Sequence, residues 1–112
     1  MRGAGTAAAL TLTLAALVGQ PAAAQANARL ATGRQLFNGG VQPSCALCHT
    51  LKEAGAEGQV GPSLDELRPD AGRVATALRN GLGSMPSFRA LLSDAQIEAL
   101  SLYVARASGG AK

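Results

Sequence analysis

The chain has 112 residues, 47% hydrophobic and only 3% aromatic, with ten Lys/Arg against seven Asp/Glu and a formal charge of +3 at pH 7. A chain of this length holds one domain, and the modest positive charge comes without a Lys/Arg cluster or an aromatic platform, which excludes a nucleic-acid-binding reading. Two cysteines and one histidine leave a structural zinc site of four Cys/His ligands unfilled.

Met1 to about Ala24 carries the pattern of a secretory signal peptide: Arg2 at the start, an apolar run from Ala7 to Val18, the breaker Gly19-Gln20-Pro21 and the small residues Ala22-Ala23-Ala24. Cleavage after Ala26 fits nearly as well. The rival, an uncleaved membrane anchor, needs about 20 apolar residues, and this run is shorter. The working protein is therefore expected to be residues 25–112, one domain, exported to the periplasm and without a membrane span. Its charge falls by one when Arg2 leaves, so the precursor overstates how basic the mature molecule is.

Asn27 to Phe37 reads as a helix with Leu30, Leu36 and Phe37 as apolar positions. Gly33 and Phe37 lie four apart and share a face. A glycine inside a helix costs about 1 kcal/mol against alanine, which makes sense where another backbone comes close. Asn38-Gly39-Gly40 ends the helix, and Val41 to Ser44 forms a loop.

Cys45-Ala46-Leu47-Cys48-His49 holds both cysteines and the single histidine. Cys-x-x-Cys-His is the attachment pattern of a c-type haem. On a helical turn, residues three apart share a face, so both thiols reach the two vinyl groups while His49 is carried under the iron as an axial ligand. A thioredoxin-like site would come with a βαβ pattern, and none is visible. A plain disulfide would leave His49 without a role. Haem c, one per chain, is the expected cofactor.

Thr50 to Val60 reads as a loop with one helical turn near Lys52 to Ala56, and no stretch of the chain reads convincingly as a strand. In Gly61-Pro62-Ser63-Leu64, the carbonyl of Pro62 is free to accept a hydrogen bond. Metal-bound histidines usually donate their second ring nitrogen to such an acceptor. Pro62 is thus the expected partner of His49, with Leu64 packing on the ring. Asp65 to Arg68 reads as a short turn. Asp70 to Asn80 reads as a helix capped by Asp70 and stopped by Gly81.

Leu82 to Phe88 is a loop containing Met85, the second candidate iron ligand. No second histidine exists, and Met85 is the only methionine beyond the signal. Lys52, Lys112 and Tyr103 are poorer candidates, and an empty sixth position is the main rival. Ser93 to Ala107 is a helix opened by a Ser93/Gln96 capping box, with Ile97, Leu100, Tyr103 and Val104 as its apolar stripe. The tail from Ser108 should fray.

Taken together, these motifs resemble the class I c-type cytochromes over nearly all of residues 27–107. Gly33 and Phe37 match the N-terminal helix of that family, Cys45, Cys48 and His49 its haem site, Gly61 to Leu64 its proline loop, Met85-Pro86 its distal loop, and Leu100 and Tyr103 its C-terminal helix. The resemblance implies an all-α, compact cytochrome c fold of three to four helices around one covalently attached haem, with the N- and C-terminal helices crossing where Gly33 and Phe37 meet Leu100 and Tyr103. It implies a single-electron carrier, not an enzyme, with His49 and Met85 as axial ligands.

Two features depart from mitochondrial cytochromes c: the stretch between His49 and Met85 is short, and lysines number only Lys52 and Lys112. Leu51 to Leu64 is similar to small cytochromes associated with periplasmic sulfite dehydrogenases. The expected partners are accordingly redox proteins, with such a dehydrogenase as donor and a terminal oxidase or another cytochrome as acceptor, and the expected state is a monomer. Docking is expected over Ala46, Leu47, Ser84 and Pro86. Two rival functions stay open, a five-coordinate haem that binds a small gas or reduces peroxide, and a haem subunit held permanently by a larger dehydrogenase. A domain this small is marginal on its own core, so the chain without haem should fold poorly.

Overall fold

The computed structural model describes residues 2–111; Met1, first residue of the expected signal, and Lys112, weighed above as an iron ligand, lie outside the described residues. Residues 2–20 form no helix or strand and are exposed throughout. From Pro21 onward the described chain carries five α-helices: α1 (Ala22–Gln35), α2 (Cys45–Cys48), α3 (Leu64–Leu67), α4 (Ala71–Asn80) and α5 (Asp94–Ser108).

The expectation of a compact fold with three to four helices does not describe this chain. Its radius of gyration is 22.8 Å and it extends 89 × 28 × 23 Å, whereas a compact chain of 100 residues has a radius near about 13 Å. The cause is local. The apolar run through Leu10, Leu12, Leu14, Leu17 and Val18 is exposed and meets no face that could bury it.

Helix α1 begins at Ala22, earlier than the Asn27 expected, because alanine is the strongest helix former and Pro21 is tolerated at a helix start. Beyond Gln35 the coil loosens into a wider turn over Leu36–Gly40, broken where Asn38 and Gly39 leave helical backbone angles, Gly39 at φ +113°. Leu36 and Phe37 are buried there. Two short segments, β1 (Thr50–Leu51) and β2 (Ala56–Glu57), pair antiparallel around a 3₁₀ turn at Lys52–Ala54. This hairpin corrects the reading of 50–60 as strandless. Gly55, at φ +67°, supplies the left-handed residue that closes it.

Helix α5 opens on the Ser93/Gln96 capping box, with the Ser93 N–H donating to Gln96 Oε1 at 2.9 Å and the Gln96 N–H to Ser93 Oγ at 3.2 Å. Its apolar stripe, Ile97, Leu100 and Val104, is buried. Burying each such side chain stabilises by roughly 1.5–3 kcal/mol. Helices α1 and α4 both pack on α5. At the first of these contacts Gly33 is buried, and a Cβ there would overlap the Ala99 carbonyl and the Tyr103 Cβ. The Phe37 and Tyr103 rings meet edge to face, centroids 6.0 Å apart.

Helix α4 is capped by Asp70, whose Oδ1 accepts the Arg73 N–H at 2.8 Å. The tail is tied rather than frayed: Gly110 and Ala111 donate back to the Ala105 carbonyl, and the Arg68 guanidinium donates to the Gly109 carbonyl at 3.0 Å. Leu36, Phe37, Leu51, Leu64, Leu78, Phe88 and the α5 stripe form one buried cluster, and it walls one side of the cavity described next.

Candidate functional site

A single turn, α2, holds Cys45 and Cys48, and the His49 N–H closes it by donating to the Cys45 carbonyl at 2.9 Å. The next loop folds back over that turn. The Gly61 N–H donates to the Cys48 carbonyl at 2.7 Å, and the Thr50 hydroxyl to the Gly58 carbonyl at 2.8 Å. Glycine is required at both loop positions by close approach. A Cβ on Gly58 would lie 2.6 Å from the His49 backbone nitrogen, and one on Gly61 would lie 2.6 Å from His49 Cε1.

His49 Nδ1 lies 2.7 Å from the Pro62 carbonyl oxygen. A carbonyl can only accept, so Nδ1 carries the proton and Nε2 keeps its lone pair for a metal. The backbone of α3 is held in place from the same loop, the Lys52 N–H donating to Asp65 Oδ2 at 2.9 Å. Leu64, at the start of α3, is buried.

Cys45, Cys48, His49, Pro62, Leu64 and Met85 all line one cavity of about 390 Å³. Among the six expected site residues none lies elsewhere. Phe37, Leu78, Phe88, Leu100 and Val104 supply an apolar wall, and Val60, Leu67, Leu82, Ser84 and Pro86 line the remainder. Met85 is half-buried and sits in a tight turn closed by reciprocal 3.0 Å hydrogen bonds with Leu82. Lys52 and Tyr103, the weaker ligand candidates, do not line the cavity.

Both cysteines are free. Burial among apolar side chains pushes the Cys45 thiol up to about 11, with the neighbouring Cys48 adding to the effect and a backbone hydrogen bond opposing it. The apolar surroundings thus hold a neutral thiol, not an activated thiolate. Among the described residues no three His, Cys, Asp or Glu side chains gather as a metal cluster.

These residues fit a c-type haem. Two thiols spaced for two vinyl groups, one imidazole with its tautomer fixed and one thioether border a cavity whose walls are otherwise largely apolar, and Gly61 leaves the imidazole just enough room. The residues missed from sequence are Arg73, the one charged side chain in the lining, and Val60 and Leu67. Arg73 carries no signal that separates it from the other arginines, since only packing puts it at a cavity.

Comparison with known proteins agrees with this geometry. Residues 28–104 match the family model described as cytochrome c oxidase, cbb3-type, subunit III. The chain is 35% identical over 106 residues to the chloroplastic cytochrome c6 of Chlamydomonas reinhardtii, an alignment that covers 86% of this chain and 66% of that protein. It is 53% identical to the crystal structure of the c-type cytochrome SorU from Sinorhizobium meliloti, with a TM-score of 0.71 over 77% of this chain and 98% of that one.

Proposed function

Because the chain belongs to the family described as cytochrome c oxidase, cbb3-type, subunit III, and is a small c-type cytochrome homologous to SorU, we propose that it is an electron-transfer protein carrying one covalent haem c, acting as the haem-bearing component of a larger periplasmic redox assembly. The observation that carries this reading is the meeting of Cys45, Cys48, His49 and Met85 at one apolar cavity. Haem c, when bound, supplies a one-electron Fe(II)/Fe(III) couple.

The chain's own residues then divide the work. Cys45 and Cys48 would hold the group through thioethers. His49 would ligate through Nε2, and its hydrogen bond to the Pro62 carbonyl keeps ring and tautomer in place. Leu64 lines the same cavity and would pack on the group. Met85 would supply a thioether to the same group, and thioether ligation raises the reduction potential of haem iron. Held by both an imidazole and a thioether, the group would leave no position open to a substrate, which favours electron transfer over chemistry on a bound molecule.

The assembly reading draws support from the family description, which names an oxidase subunit. It also draws on the mouth of the cavity, where Val60 and Leu82 are 79% and 71% exposed, and on the adjoining Leu47 at 67%. Apolar side chains left this open suit a lasting contact. The partner is proposed to be a periplasmic dehydrogenase, of the sulfite-oxidising type by the resemblance in Leu51 to Leu64, with a terminal oxidase or another cytochrome as acceptor. Removal of residues 1–24 during export belongs to the same proposal. No helix among the described residues is long and apolar enough to cross a membrane.

An absorption spectrum of the periplasmic protein before and after Met85→Ala tests the site. Low-spin haem with the near-infrared band of sulfur ligation, lost in the variant, is the expected result. High-spin haem unchanged by the substitution would overturn it in favour of a gas-binding or peroxide-reducing site. Size-exclusion of the native extract tests the assembly. Elution of the haem with a larger protein supports it, and elution as a free monomer would leave a mobile shuttle instead.

A further inference from the structure

We propose that Ser87 is a positioning residue for Met85: its hydroxyl pins the loop that carries Met85 to the end of α4, and so sets how readily an outside ligand takes the iron's sixth position. The inference rests on the reading of Met85 as an iron ligand given above. An α-helix leaves its last four carbonyls without partners of its own. At the end of α4 the Gly81 N–H donates to the Ala77 carbonyl at 2.8 Å. The next two carbonyls are taken by the segment just beyond Met85. The Phe88 N–H donates to the Leu78 carbonyl at 2.7 Å, and the Ser87 hydroxyl donates to the Arg79 carbonyl at 2.6 Å. The Arg89 N–H donates in turn to Ser87 Oγ at 3.3 Å.

Met85 thus sits between two fastenings. Before it, Leu82 and Met85 exchange their reciprocal backbone bonds. Gly81, at φ +70°, lets the two arms of the loop touch, since a Cβ there would lie 2.8 Å from the Met85 carbonyl oxygen. After it come the bonds of Ser87 and Phe88 to α4. For the thioether to leave the cavity, the loop must open at one of these fastenings. The backbone bonds form whatever side chains stand there, and Phe88 is buried in the cavity wall. Ser87 is exposed and does not line the cavity. Its bond is the fastening that depends on a side chain, and it can act on the iron site only through the loop. Alanine at this position would leave the Arg79 carbonyl to water, and the loop would open at lower cost.

The test is titration of imidazole, followed by absorbance, into the ferric wild-type, Ser87→Ala, Ser87→Thr and Thr76→Ala holoproteins, each first scanned for the near-infrared band of sulfur ligation. Thr76→Ala removes a hydroxyl bond of the same kind, Thr76 Oγ1 to the Gly72 carbonyl at 3.0 Å, from the same helix outside the loop and the cavity. The expected result is imidazole binding about two- to tenfold tighter in Ser87→Ala than in wild type, the effect of one lost hydrogen bond. Ser87→Thr, which keeps the hydroxyl, should stay near wild type, and Thr76→Ala should bind as wild type does. An unchanged affinity in Ser87→Ala, or an equal rise in Thr76→Ala, would overturn the assignment while leaving Met85 ligation intact. Absence of the sulfur band from the wild-type holoprotein would overturn both.

Discussion

The imidazole of His49 and the carbonyl of Pro62 meet at 2.7 Å across thirteen positions of chain, and Gly61 is what lets them do so. Its missing Cβ leaves the ring edge room that any other residue would take. Gly61→Ala should therefore turn the ring, lower the guanidinium midpoint of the holoprotein by the equivalent of about 1–3 kcal/mol, and alter its visible spectrum. Gly72→Ala, where the nearest atom to a new Cβ is Asp70 Oδ1 at 3.4 Å, should leave the spectrum unaltered and should not lower the midpoint. An unaltered spectrum in Gly61→Ala would show that the ring does not depend on this contact.

At the contact of α1 with α5, Gly33→Ala sets two effects against each other. Alanine gains about 1 kcal/mol of helix propensity, but its methyl would overlap the Ala99 carbonyl and Tyr103 Cβ. Neither of those atoms is the end of a flexible side chain, so the overlap should win. Chemical denaturation followed by circular dichroism should show a net loss of about 1–2 kcal/mol. A midpoint higher than wild type would mean that the two helices part at little cost.

Tyr103 donates its hydroxyl proton to the Glu53 carboxylate, and Arg34 holds the same carboxylate at 3.7 Å. Burial first, then the Glu53 acceptor and its charge, push the Tyr103 hydroxyl well above its ordinary value of 10.0, with Arg34 opposing. Folding therefore favours the neutral phenol. The stabilisation is complete below pH 10 and disappears as the pH rises through the raised value. Tyr103→Phe should cost about 0.5–1.5 kcal/mol at neutral pH and flatten the alkaline fall in stability above pH 10. Parallel stability–pH curves for the two proteins would refute this account.

Leu47 stands between Cys45 and Cys48 in α2 yet is 67% exposed. Leu47→Glu should slow electron transfer to the partner, measured by stopped-flow absorbance, several-fold without altering the haem spectrum. An unchanged rate would remove Leu47 from the docking surface.

The residues that meet at the cavity were legible in the chain because local spacing and scarcity single them out. Cys45 and Cys48 fall within one helical turn that His49 closes, and Met85 is the only methionine after Met1. The Asp70 cap and the Ser93/Gln96 box were legible for the same reason, since each is closed within three residues. The early start of α1 at Ala22 was missed because the alanines that suit a cleavage site suit a helix equally well. The hairpin at Thr50–Glu57 escaped because two-residue strands carry no alternation to detect.

By itself, the sequence determined which cysteines, histidine and methionine the chain offers and where most helices begin and end, because these depend on composition and on contacts within a few positions. Only the tertiary structure decided that Arg73 borders the cavity, that Gly33 is pressed against α5, and that Tyr103 finds Glu53. Those relationships depend on which faces meet after distant segments pack, a property of the whole burial pattern that no local spacing encodes. The extended course of residues 2–20 belongs with them, since whether an apolar run is buried is settled by the presence of a complementary face elsewhere.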